Sequence, residues 1–162
     1  MLEKKRITDL SGNEHSYEEF VKSIRKHDQE GFDTYIGTDS QINGGKIDIA
    51  TCVIFVRRDS PFGRDCSGKV FCFKERIPRK DYPNLRMRMM LEAYRSLETA
   101  MFLEKYINNT IHIHLDIGPS SRFNKTSAYK VELTGMVRSQ GYECEIKPNA
   151  WAASGVADRA CR

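Results

Sequence analysis

The sequence predicts an α/β fold, with a five-stranded mixed sheet flanked by helices. Three strand-like segments joined by turns come first, and two further strands then alternate with helical segments. Strands joined by short turns pair antiparallel, whereas strands separated by helices pair parallel through right-handed crossovers. A chain of 162 residues fits one domain with a substantial core, so we predict a single domain over residues 1–162.

Residues 1–31 are predicted to form an N-terminal extension that contains one helix. Residues 1–15 are polar, which indicates an irregular or hairpin segment. Ser16 begins a capping box that is completed by Glu19, and the apolar residues that follow recur at helical spacing. Gly31 is typical of the residue that follows the end of a helix.

Three strands are predicted in the next part of the chain. The first covers about 33–39, and an Asn-Gly-Gly turn at 43–45 separates it from the second, at 47–57. The second strand is apolar on both faces, which indicates a central position in the sheet. A loop rich in Gly, Pro and Asp follows at 59–68. The third strand, at 69–77, alternates more regularly and is typical of a strand nearer the edge.

Helices and strands alternate in the second half of the chain. Long helices are predicted at about 83–107 and 126–140, and each is followed by a strand, at 110–116 and 142–146. A final helical segment begins near Asn149. These elements complete the alternation that favours parallel pairing in the C-terminal half.

Composition and charge exclude a few classes of protein but do not indicate one function. The net charge of +4 permits a polyanionic partner without requiring one. No apolar run approaches the roughly 18 residues of a membrane span, and no signal peptide is visible behind the charged start. The five cysteines are an odd number without close pairs, so we expect neither a zinc site nor a disulfide framework. We therefore predict a cytoplasmic protein with no membrane partner.

Two aspartates lie at the ends of predicted parallel strands. Asp39 ends the first strand and Asp116 ends the fourth. Sites in open α/β sheets form beyond the carboxyl ends of parallel strands, so the two carboxylates lie side by side if these strands are neighbours. A single aspartate in such a place is usually a turn residue, but two at equivalent strand ends favour a shared site.

Glu92 lies on the first long helix, at the edge of its inward face. It follows Leu85, a member of the apolar stripe, by seven residues, or about two turns. A carboxylate buried there without a cation or partner would be costly. Glu98 lies roughly opposite on the same helix and is expected in solvent. Glu92 is therefore the better candidate ligand.

Asp158 is the fourth candidate, and its pattern has two explanations. The small residues at 152–157 favour close packing on the sheet, which would bring Asp158 to the cluster. An aspartate on a helix surface, paired with Arg159 or Arg162, explains the pattern equally well. Hard oxygen donors suit Mg²⁺ or Mn²⁺, so four such carboxylates together would form a site for divalent cations.

Several segments resemble the YkuK family of ribonuclease H-like proteins. They are 36–41 (Ile-Gly-Thr-Asp-Ser-Gln), 114–117 (His-Leu-Asp-Ile), 135–137 (Gly-Met-Val), and 146–154 (Ile-Lys-Pro-Asn-Ala-Trp-Ala-Ala-Ser) with 157–158 (Ala-Asp). The resemblance covers nearly the whole chain. It implies a ribonuclease H-like fold with sheet order 3-2-1-4-5, in which strand two runs antiparallel to its neighbours. The acidic ligands of ribonuclease H-like nucleases correspond in this chain to Asp39, Glu92, Asp116 and Asp158.

These residues predict a metal-dependent nuclease that hydrolyses phosphodiester bonds of RNA, DNA or a hybrid. Asp39 would bridge two Mg²⁺ or Mn²⁺ ions about 4 Å apart, with Glu92 and Asp116 on one side and Asp158 on the other. One ion would lower the pKa of an attacking water, and the other would stabilise the leaving oxyanion. No side-chain nucleophile is then needed.

Four further residues are candidate contacts to nucleic acid. Ser40 and Gln41 follow Asp39 and are suited either to hydrogen bonds with phosphate or ribose or to a turn. Lys147 ends the fifth strand, where it would position a phosphate or a water, or extend into solvent. Lys125, with Asn124, lies at the start of the second long helix, where backbone amides favour phosphate.

Other polar and aromatic residues have a functional and a structural explanation. His112 and His114 share a strand face with Asp116 and would add metal ligands, but histidines in strands are more often packed. Trp151 would stack a base or fill the core. The basic residues around Tyr82, at 76–88, would hold a nucleic-acid backbone or solvate a face.

The main alternative function is a catalytically inactive ribonuclease H-like module that binds nucleic acid. Binding alone does not require a repulsive cluster of carboxylates. A phosphotransferase acting on a small nucleotide is less well supported, because neither a second domain nor a glycine-rich phosphate loop is evident. An assembly protein has no positive support. Endo- or exonucleolytic action and the oligomeric state stay open.

Overall fold

Seven strands form one mixed sheet in the computed structural model, which describes residues 2–57, 69–118 and 125–162. The strands are β1 (Ile7–Thr8), β2 (Glu14–His15), β3 (Phe32–Asn43), β4 (Lys46–Arg57), β5 (Val70–Pro78), β6 (Ile111–His114) and β7 (Glu143–Glu145). Their order is β2-β1-β5-β4-β3-β6-β7. β4 is antiparallel to β3 and β5, whereas β6 is parallel to β3 and β7.

The five predicted strands form the centre and one side of this sheet, in the order 3-2-1-4-5. The expectation of five strands in all was wrong, because the N-terminal extension contributes two more. Strands β1 and β2 form a hairpin, and Ile7 and Thr8 pair with Phe73 and Cys72 of β5. The hairpin was one of the two expected forms of residues 1–15, but strands of two residues are too short to show an alternating pattern that would predict their pairing with the sheet.

Three helices follow the predicted order, with boundaries set by their caps: α1 (Tyr17–Gln29), α2 (Leu85–Leu103) and α3 (Lys130–Ser139). The capping box is present, since the Ser16 hydroxyl accepts from the Glu19 amide and the Glu19 carboxylate accepts from the Ser16 amide. Helix α2 begins later than predicted, because the Asn84 side chain caps it by accepting from the Met87 amide. Within the described ranges, no helix combines the length and the apolar character that crossing a bilayer requires.

The two faces of the sheet are covered by different parts of the chain. Val53 and Phe55 of β4 belong to the large core under α1, α2 and α3. Cys52 and Ile54 face the other way and pack against the C-terminal segment, a π-helical turn (Ala152–Ala157) followed by α4 (Asp158–Cys161). The burial of both faces explains why the second predicted strand is apolar on both sides.

Candidate metal centre

Asp39 lies on β3 just beyond the part of the strand that pairs with β6. That pairing covers Thr34 to Gly37, so Asp39 is two residues past it. The residue is buried, with 8% of its surface exposed. Burial, together with the negative charges of Asp116 and Asp158, raises the pKa of Asp39 to about 7. A carboxylate at this position is therefore destabilised in the absence of a cation.

Glu92 projects from α2 towards the same cluster. The Ser40 hydroxyl donates to Glu92 Oε1 at 2.6 Å. Burial raises the pKa of Glu92 to about 8 despite this hydrogen bond, and the charges of Asp39 and Asp116 add to the rise. Glu98, by contrast, pairs with the Arg95 guanidinium at 3.2 Å.

Asp116 follows β6 and lies beside a lysine from the end of β7. The Lys147 amide donates to the Ile117 carbonyl at 3.0 Å and so continues the parallel pairing past both strands. This register brings Lys147 Nζ to 2.8 Å from Asp116 Oδ1. Asp116 therefore has an internal counter-ion, although its negative charge still contributes to the raised pKa values of Asp39 and Glu92.

Asp158 reaches the cluster from the first turn of α4. It lies close enough to Asp39 for its carboxyl to add to the raised pKa of Asp39. The Gln41 amide donates to Asp158 Oδ1 at 3.3 Å, and Arg162 Nη2 lies 3.0 Å from Asp158 Oδ2. Both explanations of Asp158 in the sequence are thus present together: it pairs with Arg162 and also joins the carboxylates.

The C-terminal segment can carry Asp158 to β3 because both sides of the contact are small. A Cβ atom on Gly37 would lie 2.3 Å from the carbonyl carbon and oxygen of Ala152, closer than any real contact. Ala152, Ala153 and Ala157 are fully buried. Glycine on the strand and alanine on the helix therefore let the two backbones approach directly.

The histidines orient this segment, a role that the sequence did not reveal. His114 Nδ1 accepts a hydrogen bond from the Ala152 amide at 3.1 Å. Burial lowers the pKa of His114 to about 3, so the ring is neutral and able to accept. His112 stacks on Tyr35 at 4.4 Å, and the ring of Trp151 contacts both Tyr35 and His114. These contacts agree with the structural explanation of the histidines and of Trp151.

Three of the four predicted nucleic-acid contacts touch carboxylates of the cluster. Ser40 contacts Glu92, Gln41 contacts Asp158 and Lys147 contacts Asp116. Lys125 begins a short 3-10 helix (Lys125–Tyr129) and is exposed, and Asn124 lies outside the described residues. In the basic segment before α2, Arg76 pairs with Asp48 and Arg86 with Glu132.

Comparison with known proteins agrees with the fold. A family model described as Ribonuclease H-like matches residues 15–162. The chain belongs to the ribonuclease H-like family. The uncharacterized protein YkuK of Bacillus subtilis (strain 168) is 27% identical over 152 residues, which cover 84% of this chain and 83% of that protein. This similarity supports the resemblance to the YkuK group. No solved structure matches the chain.

The donor chemistry of this ribonuclease H-like site fits a hard divalent cation, since all four candidate ligands offer carboxylate oxygens. Among the residues that the structure describes, no three acidic, histidine or cysteine side chains are already arranged to hold an ion. Three of the carboxylates have internal partners instead, at the Ser40 hydroxyl, Lys147 and Arg162. An ion that binds here must replace or reorient some of these contacts.

Proposed function

We propose that the protein is a divalent-metal-dependent nuclease that hydrolyses phosphodiester bonds of RNA or DNA with two ions. The buried Asp39 carboxyl supports this most directly, because burial and then repulsion from Asp116 and Asp158 raise its pKa to about 7 in a ribonuclease H-like fold. A divalent cation relieves that repulsion. A protein that only binds nucleic acid gains nothing from burying like charges together.

The four carboxylates have distinct places in this proposal. Asp39 is central, since it interacts with each of the other three, Glu92, Asp116 and Asp158. When bound, two divalent ions lower the pKa of a water and stabilise a leaving oxyanion.

The residues that contact these carboxylates hold them in position. Ser40 fixes one oxygen of Glu92, and Gln41 does the same for Asp158. Lys147 lies 2.8 Å from Asp116 and would donate to a phosphate oxygen once Asp116 binds an ion.

A substrate screen tests the reaction itself. Labelled single-stranded RNA, single-stranded DNA, duplex DNA and an RNA–DNA hybrid are incubated with the protein and Mg²⁺, Mn²⁺ or EDTA, and the products are separated by size. We expect cleavage with a divalent ion and none with EDTA. Absence of cleavage of every substrate with both ions contradicts the proposal.

One observation favours the inactive binding module as a second candidate. Lys147 and Arg162 already neutralise part of the charge on Asp116 and Asp158, as they would in a protein that holds no metal. The two candidates differ in whether the fold is stabilised by Mn²⁺ at a pH where the carboxylates are ionised.

The stability of the metal-free protein is expected to fall as the pH rises from about 4 to 8. The carboxyls of Asp39 and Glu92 have pKa values of about 7 and about 8 in the folded protein, above their ordinary values of 3.8 and 4.5. The folded state therefore binds more protons at these two carboxyls than the unfolded state does, so the stability that they contribute is complete below about pH 4 and is lost as the pH rises through their folded pKa values. Thermal unfolding in EDTA measures this slope.

Mn²⁺ should reverse that loss at pH 8 and have little effect at pH 5, where protons occupy the site. At about 100 times the dissociation constant, binding adds about 2.7 kcal/mol, which raises Tm by roughly 5–10 °C. A Tm at pH 8 that is the same in Mn²⁺ and in EDTA would favour the inactive module.

A further inference from the structure

A groove with a strongly basic lining lies beside the carboxylates, on the sheet face that the C-terminal segment covers. Its volume is about 390 Å³. Four cations line it, Arg6, Lys74, Arg159 and Arg162, against one carboxylate, Asp9. We call this cavity the basic groove. Its volume falls in the range of ligand sites in proteins.

The carboxylate that lines the groove, Asp9, is hydrogen-bonded to neighbouring residues of its own segment. Asp9 accepts hydrogen bonds from the Ser11 and Asn13 amides, from the Asn13 side chain and from His15. These contacts lower the pKa of Asp9 to about 2, the His15 ring contributing most. Among the described residues, Asp9 pairs with His15 and with none of the four cations, while Arg6 pairs with Glu14 and Arg162 with Asp158.

The basic groove is continuous with the carboxylate cluster. Arg162 lines the groove, and its guanidinium lies 3.0 Å from Asp158. A second cavity of about 440 Å³ shares Lys74 and Arg162 with the groove and extends to Asn43 at the end of β3. A nucleic-acid strand that extends from the carboxylate cluster past Asp158 would therefore contact cationic side chains directly.

Two of the cations are available for an anionic ligand. Lys74 and Arg159 are exposed, and no carboxylate within residues 2–57, 69–118 and 125–162 forms an ion pair with either one. The described lining contains no aromatic side chain. The groove thus offers contacts to phosphate but no ring on which a base would stack.

We propose that the basic groove binds the phosphodiester backbone of a nucleic-acid strand next to the cleavage site, without preference for base sequence. This proposal rests on the proposed function and names the surface that holds the substrate. Each phosphate neutralised by a lysine or arginine releases condensed counter-ions, so binding weakens steeply as salt rises. Lys74 lies on β5 and Arg159 on α4. The fold brings these two distant residues together, so both can contact the same nucleic-acid strand.

The double variant Lys74→Ala/Arg159→Ala tests the groove. The dissociation constant of labelled single-stranded RNA and DNA is measured by fluorescence anisotropy in EDTA, from about 50 to 200 mM salt. Loss of two phosphate contacts should lower the slope of log affinity against log salt by about 1.4. We expect affinity at low salt to fall roughly tenfold or more, by a similar factor for different base sequences.

Lys22→Ala/Lys26→Ala is the matched control. It removes two exposed positive charges from α1, which covers the opposite face of the sheet. We expect this control to bind like the wild type. The proposal is overturned if the two double variants lose affinity equally, if the groove variant keeps wild-type affinity, or if the wild type does not bind.

The measurement also separates the groove from the nuclease proposal, because binding in EDTA does not depend on hydrolysis. Binding through the groove without metal-dependent cleavage would refute the nuclease and leave the groove standing. If the wild type cleaves but Lys74→Ala/Arg159→Ala binds with unchanged affinity, the groove is refuted and the nuclease proposal stands. Tm values of both double variants confirm that the fold is intact.

Discussion

Asp39→Asn is expected to reduce Mn²⁺-dependent cleavage by at least about a thousandfold, equivalent to about 4 kcal/mol of lost transition-state stabilisation. Asparagine keeps the shape of the side chain but offers one neutral carbonyl oxygen, so it cannot serve two cations. Asp39 is also the carboxyl that interacts with all three others, and its loss affects the whole cluster. The rate of cleavage of a labelled oligonucleotide at saturating Mn²⁺ measures the effect.

The same substitution should leave the metal-free fold intact and make it more stable at pH 8. The wild-type carboxyl is ionised above a pKa of about 7 in a buried site, whereas the neutral amide carries no such cost. In EDTA, the decline of Tm between pH 4 and 8 should therefore be shallower for Asp39→Asn than for the wild type. Full cleavage activity in this variant would contradict the mechanism.

Glu98→Gln provides the control for loss of a carboxylate. Glu98 lies on α2 like Glu92, but it pairs with Arg95 instead of joining the cluster. Its amide variant should therefore cleave like the wild type. If Asp39→Asn and Glu98→Gln lose cleavage activity equally, the activity depends on the net charge of the protein and not on the carboxylate cluster.

The positions of Asp39 and Asp116 could be predicted because they follow from strand patterns and from one topological rule. The apolar pattern shows where each strand ends, and parallel pairing brings the carboxyl ends of neighbouring strands to the same edge of the sheet. The helical period likewise placed Glu92 on the inward edge of α2. Local patterns of this kind need no knowledge of which side chains contact one another across the fold.

Contacts that depend on distant backbone could not be predicted in the same way. The His114 ring accepts from the amide of Ala152, and nothing in the strand pattern indicates a partner so far along the chain. The basic groove combines Arg6 and Lys74 with Arg159, which are widely separated in sequence. The sequence predicts that Lys147 ends the fifth strand, but its ion pair with Asp116 depends on the register between β6 and β7.

Gly37→Ala is expected to lower the free energy of unfolding by about 3 kcal/mol, the upper end of the usual cost of overpacking. The added methyl would lie 2.3 Å from the carbonyl carbon and oxygen of Ala152 and 2.4 Å from the Ala153 nitrogen. These are backbone atoms, so no side-chain rotation relieves the overlap. The C-terminal segment must move away from β3, and urea unfolding measures the cost.

Gly135→Ala is the matched control, since a Cβ atom there has no heavy atom within 4 Å. Alanine is the better helix former inside α3, so this variant should be more stable by up to about 1 kcal/mol. A Gly37→Ala protein as stable as the wild type would contradict the close contact between β3 and the C-terminal segment. Because that segment carries Asp158, cleavage by the folded Gly37→Ala protein should fall even where most of the protein is folded. Such a loss would link the spacing between two backbones to the position of a metal ligand.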